Sequence, residues 1–228
     1  MPSQCGISGL RDSNLAQVHG DDGRTASWES PETWVDEDDA LLEARAVAED
    51  MGCEPVPAAT GVALRFMATA LRARSVVEVG TGTGVSGLWM LRGMTTDGVL
   101  TSIDPELEHQ RCARVAFRAG GFAPARVRLI NGRALDVLPR LADGAYDLVF
   151  LDGLLEEYPR YLDEAVRLLR PGGVVAMTSV LLAEQSDEQD TPEGRALSEV
   201  LRVGRDDDRL VSLLLPIGEG LLLSAKAG

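Results

Sequence analysis

The chain has little positive charge. Its 228 residues carry 22 Lys and Arg against 36 Asp and Glu, a formal net charge of −14. Nucleic-acid binders need a basic face to meet phosphates, so the charge balance argues against a phosphate-rich partner. Cysteine is scarce as well. Cys5, Cys53 and Cys112 are odd in number and far apart, which matches neither a disulfide framework nor a metal-ligand spacing and implies separate reduced thiols. Histidine is limited to His19 and His109, and without a positioned histidine an acyl-transfer triad has no support. Ser8, between glycines in GISG, lacks the strand–turn–helix context of a nucleophile elbow. No apolar run approaches the roughly 20 residues of a membrane span. The N-terminus lacks the basic start and apolar stretch of a signal peptide, so a cytoplasmic location is expected. No internal repeat is visible.

What is present reads as one globular α/β domain. Hydrophobic residues make up 45% and charged residues 25%, and the length is enough for a full core. Residues 1–33, rich in Gly, Ser, Asp and Asn, are expected to form a flexible extension, partly ordered by Trp28 and Trp34. The single domain then spans 34–228. Asp36 to Asp39 load a first helical turn with negative charge, and Gly52 offers a stop. A second helix is expected over about 60–73, so that 34–73 forms a helical cover. Apolar runs follow at Val76–Val79, Val99–Ile103, Val127–Ile130, Leu148–Leu151 and Val174–Met177. Each is short and too continuously apolar to face water, as buried parallel strands are. Helical segments fit between them, at about 86–94, 106–119, 134–141 and 157–170. That alternation predicts a parallel sheet with helices on both faces. Residues 184–208 read as loop plus one short helix, and RDDDR at 205–209 as a solvated turn. Two last apolar runs joined by PIGEG predict an antiparallel hairpin.

The stretch VVEVGTGTGVSG, residues 76–87, bears on function. From Gly82 it satisfies the dinucleotide fingerprint, with Gly82, Gly84 and Gly87 in register. From Glu78 it reads E-x-G-x-G-x-G. Ligands of open parallel sheets lie at the carboxyl ends of the strands, and three of those ends carry an acid: Glu78, Asp104 and Asp152. A diphosphate wants helix dipoles and cations. A sulfonium bearing an ammonium and two ribose hydroxyls is better served by carboxylates, so S-adenosylmethionine is the expected cofactor.

The motifs VVEVGTGTGVSG, LTSIDPE, NGRALDVLPRL, YDLVFLDG, YLDEAVRLLRPGGVVAM and LLPIGEGLLL resemble, in order and spacing, those of the S-adenosylmethionine-dependent O-methyltransferases. The branch holding the catechol and caffeoyl-coenzyme A enzymes is the nearest likeness, and it runs from about Ala40 to the C-terminus. The resemblance implies a Rossmann-like class I methyltransferase fold with a seven-stranded, mostly parallel sheet, and a homodimer for which 40–72 could supply the surface. It implies that Glu78, Gly80, Thr81 and Gly82 line the methionine end and that Ser86 donates to its carboxylate. Asp104 and Pro105 would flank the ribose and adenine, Ala134 would approach the adenine edge, and Val56 would close over the cofactor. Ser86 could instead be an ordinary helix cap, and Thr81 and Val56 simple packing residues.

The likeness fails where the family holds its divalent cation. Asp152 is present, but the family's Asp-Asn pair falls on Thr178 and Ser179, and its lysine base on Leu155. Neutral hydroxyls suit a hard cation poorly, so no metal is expected. Two readings follow: metal-free methyl transfer to a hydroxyl or carboxyl oxygen, with Asp152 as base or orienter, or a catalytically silent S-adenosylmethionine-binding protein. Glu156, Glu157 and Tyr158 are candidate neighbours of Asp152, with Tyr158 bordering the acceptor. Tyr161 and Trp89 read as packing residues, and His109 as a solvent-facing residue of its helix.

Overall fold

A computed structural model describes residues 31–184 and 190–228. The expectations for residues 1–30, including Cys5, Ser8, His19 and Trp28, and for the stretch 185–189, lie outside the described residues. Among the described residues seven strands form one sheet: β1 (Ser75–Val79), β2 (Val99–Asp104), β3 (Val127–Asn131), β4 (Tyr146–Leu151), β5 (Leu169–Met177), β6 (Leu210–Leu215) and β7 (Leu221–Lys226). Their order is β3-β2-β1-β4-β5-β7-β6. The first five pair in parallel, while β7 runs antiparallel to both β5 and β6. The expected alternation and C-terminal hairpin are both realised.

Strand parity divides the core. Val76, Leu148, Phe150, Val174 and Ala176 pack in one cluster with residues of α1 (Asp39–Met51), α2 (Ala58–Ala70), α3 (Val85–Gly93) and α4 (Leu107–Ala119). Val77, Val149, Leu151, Val175 and Met177 point to the opposite face. They meet α5 (Ala134–Val137), α6 (Tyr158–Leu168) and α7 (Pro192–Asp206). Successive side chains of a strand leave on opposite faces, so Glu78 is driven into the first core between Val77 and Val79.

Local chemistry sets the element ends. Asp38 caps α1, its side chain accepting from Leu41 N, and Gly52 closes the helix in the left-handed region at φ 67°. That is the stop expected of this glycine. At the far end of the sheet the Asp147 carboxylate accepts from the backbone of Arg74 and Ser75 and from the Arg170 guanidinium, tying β1, β4 and β5 together.

Three expectations need correction. The polar stretch before β6 carries the longest described helix, α7. Its short apolar stripe of Ala196, Leu197 and Val200 is buried, and tertiary packing of that stripe stabilises a helix whose other faces are polar. β3 is not buried on both faces; it is the sheet edge, and its side chains are only partly covered or exposed. Within RDDDR, Arg205 and Asp206 end α7, and only Asp207 to Arg209 form the turn, where Arg209 folds back onto Asp207.

Candidate active site

The glycine loop between β1 and α3 is shaped by what approaches it. Gly80 has φ 90°, and a Cβ there would lie 1.9 Å from the Asp152 carbonyl oxygen, so only glycine lets β1 and β4 end side by side. Gly84 and Gly87 face Phe117 of α4, with a built Cβ at 3.1 and 2.7 Å from its ring, and serve close helix packing. Gly82 differs. At φ 49° a Cβ on it would meet no described residue within 4 Å, because the position faces open space.

That space is a cavity of about 340 Å³. Its rim is formed by Cys53, Glu54, Pro55 and Val56 after α1, and its floor by Gly80 to Thr83, Val85, Ser86, Asp104, His109 and Asp152. Val56, Gly80, Thr81, Gly82, Ser86, Asp104 and Asp152 of the expected set are therefore brought together. Asp104 is a hub. Its Oδ2 accepts from the backbone of Thr81 and Gly82, both at 3.0 Å, and its Oδ1 from Glu106 N at 2.8 Å. The acid ending β2 thus fixes the loop that ends β1. Asn131 Nδ2 in turn donates to the carbonyls of Asp104 and Pro105.

Glu78 does not line the cavity. Fully buried beneath the loop, it accepts from Ser86 Oγ at 2.6 Å and Ser102 Oγ at 2.5 Å. Burial pushes its carboxyl up to about 8, against the lowering effect of the two serines. Ser86 is not the cap of α3, a place taken by Gly84. Its hydroxyl proton is committed to Glu78, so an anion at this spot is met by the backbone N–H groups that open α3, which lack intrahelical partners. Pro105 and Ala134 stand outside the cavity lining; Ala134 packs in the second core.

A second cavity, of about 390 Å³, adjoins the first. Glu54, Pro55, Val56 and Asp152 line both. Its remaining walls are Pro57, Gly153, Leu155, Thr178, Ser179, Leu182 and Glu219. Asp152 is set deep where the two spaces meet, and burial, with Glu219 and Glu54 adding repulsion, raises its carboxyl to about 7. Ser179 adopts φ 61°, rare for a residue with a side chain. It donates through Oγ to Glu219 at 3.0 Å.

Several sequence readings are corrected here. Tyr158 does not border the acceptor space: it is fully buried, and its hydroxyl donates to the Leu151 carbonyl. Glu157 faces away as well, held by Arg133 and by the Tyr161 hydroxyl, while Glu156 lies beside Glu193 of α7, whose proximity raises its carboxyl. Nor is His109 merely solvent-facing, because its ring bridges the Asp104 carboxylate and the Cys53 sulfur, 3.1 Å from the latter. Trp89 and Tyr161 pack as expected. Glu219 escaped the sequence reading. Its only signal was an acid inside the PIGEG turn, whose position over β5 depends on sheet order.

A family model described as O-methyltransferase matches residues 32–227. The chain belongs to the O-methyltransferase family. A relative from Mycobacterium sp. (strain JLS), which carries the family's name provisionally, is 47% identical over 194 residues, or 84% of this chain and 88% of its own. Among solved structures, cofactor-bound Rv0187 from MTB shares 32% identity, with a TM-score of 0.78 over 86% of this chain and 93% of that one. The O-methyltransferase TomG from Streptomyces achromogenes, involved in tomaymycin synthesis and solved with S-adenosylmethionine, shares 28% identity. Its TM-score is 0.78, covering 86% of this chain and 92% of that one.

The residues of the first cavity suit such a cofactor: a side-chain-free glycine facing open space, free helix amides for a carboxylate, and Asp104 for hydroxyls. The family's divalent cation fares worse. Beside Asp152 stand the neutral hydroxyls of Thr178 and Ser179, the latter already bonded to Glu219. Among the described residues no group of three or more His, Cys, Asp or Glu is arranged to hold a metal ion.

Proposed function

We propose that this chain transfers a methyl group from S-adenosylmethionine to a hydroxyl or carboxyl oxygen of a small acceptor, without a divalent metal. The observation that carries this reading is the meeting of the two cavities at Asp152. When bound in the first cavity, the cofactor supplies an electrophilic methyl on a positively charged sulfur.

The chain's own residues do the rest. The amides opening α3 hold the cofactor carboxylate, and the charge of Glu78 beneath the loop favours its ammonium. Asp104 takes the ribose hydroxyls, and Val56 covers the donor and excludes water. Displacement at a methyl carbon depends on close approach and alignment, which the shared wall of Glu54, Pro55, Val56 and Asp152 imposes on both substrates. Asp152, with its carboxyl raised to about 7, is matched to accept the acceptor's proton near neutral pH. Leu155, where the family has a lysine, gives that side of the cavity an apolar wall.

The test is transfer of labelled methyl to a panel of phenols, alcohols and carboxylic acids, with and without EDTA. Turnover that survives the chelator supports the reading. Tight adenosylhomocysteine binding with no transfer to any acceptor refutes it in favour of a silent binding protein.

The reading extends to assembly and location. Trp34, Phe66, Val211 and Leu213 are each more than half exposed. They lie around or beside an apolar groove between α2 and the β6–β7 hairpin. A cluster of this kind marks a protein interface, and it supports a homodimer built partly on α2. No described helix is long and apolar enough to cross a membrane. Cys53 and Cys112 are free thiols, in keeping with a cytoplasmic protein.

A further inference from the structure

We propose that the second cavity selects a cationic acceptor, a hydroxyl compound that also bears an ammonium group, and that Glu219 is the residue that selects it. The proposal rests on the methyl-transfer reading above and narrows its acceptor.

Among the described residues the cavity is lined by three carboxylates, Glu54, Asp152 and Glu219, and by no Lys or Arg. Lys226, the single lysine of the sequence, is committed elsewhere, donating to the carbonyls of Val166 and Leu169. The Asp152 carboxylate shares this lining with both glutamates and accepts no hydrogen bond from any described residue. Like charges gathered without a counter-charge are relieved by a cation, and their field repels an anion. The hydroxyls of Thr178 and Ser179 add acceptors but no charge.

Glu219 is held in place. Leu181 N donates to its carbonyl at 2.9 Å, and Ser179 Oγ to its carboxylate at 3.0 Å. Its neighbour Gly220, at φ 94°, packs so closely that a Cβ would meet Leu181 Cγ at 2.4 Å. The hairpin turn is therefore clamped over the end of β5, and the left-handed Ser179 is the residue that reaches it. One Ser179 hydroxyl leaves most of the acceptor capacity of Glu219 unused. Pro55, Pro57, Leu155 and Leu182 supply apolar walls, suited to the carbon frame of a compact amine such as a hydroxyphenyl-alkylamine.

The test uses isosteric probes of opposite charge, tyramine and 4-hydroxyphenylacetate, each titrated calorimetrically into the adenosylhomocysteine complex. Tyramine is expected to bind at least tenfold more tightly. E219Q should shrink that preference about tenfold and E219K should reverse it, while adenosylhomocysteine affinity stays within twofold in both, because Glu219 lies outside the first cavity. If E219K does not fold, E219Q alone decides. Equal binding, preference for the carboxylate, or failure of both probes to bind the complex overturns the proposal. So does saturable Mg²⁺ binding that is lost in E219Q, which would make the acidic group a metal site. Failure of adenosylhomocysteine itself to bind would refute the underlying methyl-transfer reading instead.

Discussion

Replacing Glu78 with Gln separates what this acid does for cofactor binding from what it costs the fold. In the folded chain its carboxyl is raised from the ordinary 4.5 to about 8 by burial. At about 1.4 kcal/mol per pH unit, ionising it is about 5 kcal/mol harder in the folded than in the unfolded chain. A raised carboxyl pKa makes a stability contribution that is complete below pH 4.5 and lost as pH rises towards 8. The wild-type chain should therefore lose stability through Glu78 across that window, and the Glu78→Gln variant, whose amide cannot ionise, should not. At low pH the variant is expected to be less stable by about 1–3 kcal/mol, since one of its amide hydrogens faces a serine already donating to it. Near pH 9 the order should invert, with Glu78→Gln more stable by about 2–4 kcal/mol, the difference of these two effects. Urea titrations of both proteins at pH 5 and pH 9 read this directly. Calorimetry adds the functional half. At pH 7 a carboxyl titrating near 8 is about nine-tenths protonated, so binding adenosylhomocysteine, whose ammonium favours the ionised form, should release nearly one proton in the wild type. That release should fall sharply in the variant, together with affinity. A stability gap between the two proteins that is the same at both pH values would refute the reasoning.

Asp152→Asn is expected to lower methyl transfer about 10²- to 10⁴-fold with adenosylhomocysteine affinity changed only a few-fold, as loss of a proton acceptor requires; comparable losses in both would make it a binding residue. Gly82→Asn, at a position where φ is 49° and a Cβ meets no described residue within 4 Å, should fold with a loss of about 1 kcal/mol, since Asn tolerates the left-handed region better than other side chains, yet abolish cofactor binding by filling the cavity; calorimetry and thermal melting together distinguish the two effects. Tyr158→Phe should cost about 1 kcal/mol of stability through loss of its bond to Leu151 and leave the Michaelis constants of donor and acceptor unchanged. Phe66→Glu with Leu213→Asp should convert a dimer to a monomer by sedimentation; a wild type already monomeric at micromolar concentration would contradict the interface.

Much of this molecule is legible in one dimension because its determinants are local. The strands β1, β2, β4 and β5 announce themselves as apolar runs, since burial on both faces leaves no polar side. The α1 boundaries follow from Asp38 and Gly52, whose capping needs no distant partner. The glycine loop could be read because Gly80, Gly82 and Gly84 all take positive φ, a demand of the local backbone, and Asp104 because a strand-ending acid needs donors that the neighbouring loop supplies. Tertiary structure alone decided matters that turn on parity and strand order. Whether Glu78 faced the cavity or the core depended on which face the α1–α4 layer covers. Tyr158 and Glu157 lie a few residues from Asp152 in sequence, but Tyr158 is drawn into the core against the Leu151 carbonyl and Glu157 is held by Arg133 and Tyr161. His109 reached Cys53, some fifty positions distant, only through the docking of α1 beside α4. Glu219 joined Asp152 because β7 inserts between β5 and β6, a consequence of antiparallel pairing that no local pattern encodes. Short-range sterics and hydrogen bonding wrote the elements; long-range packing assigned each acid its neighbours, and with them its charge and its role.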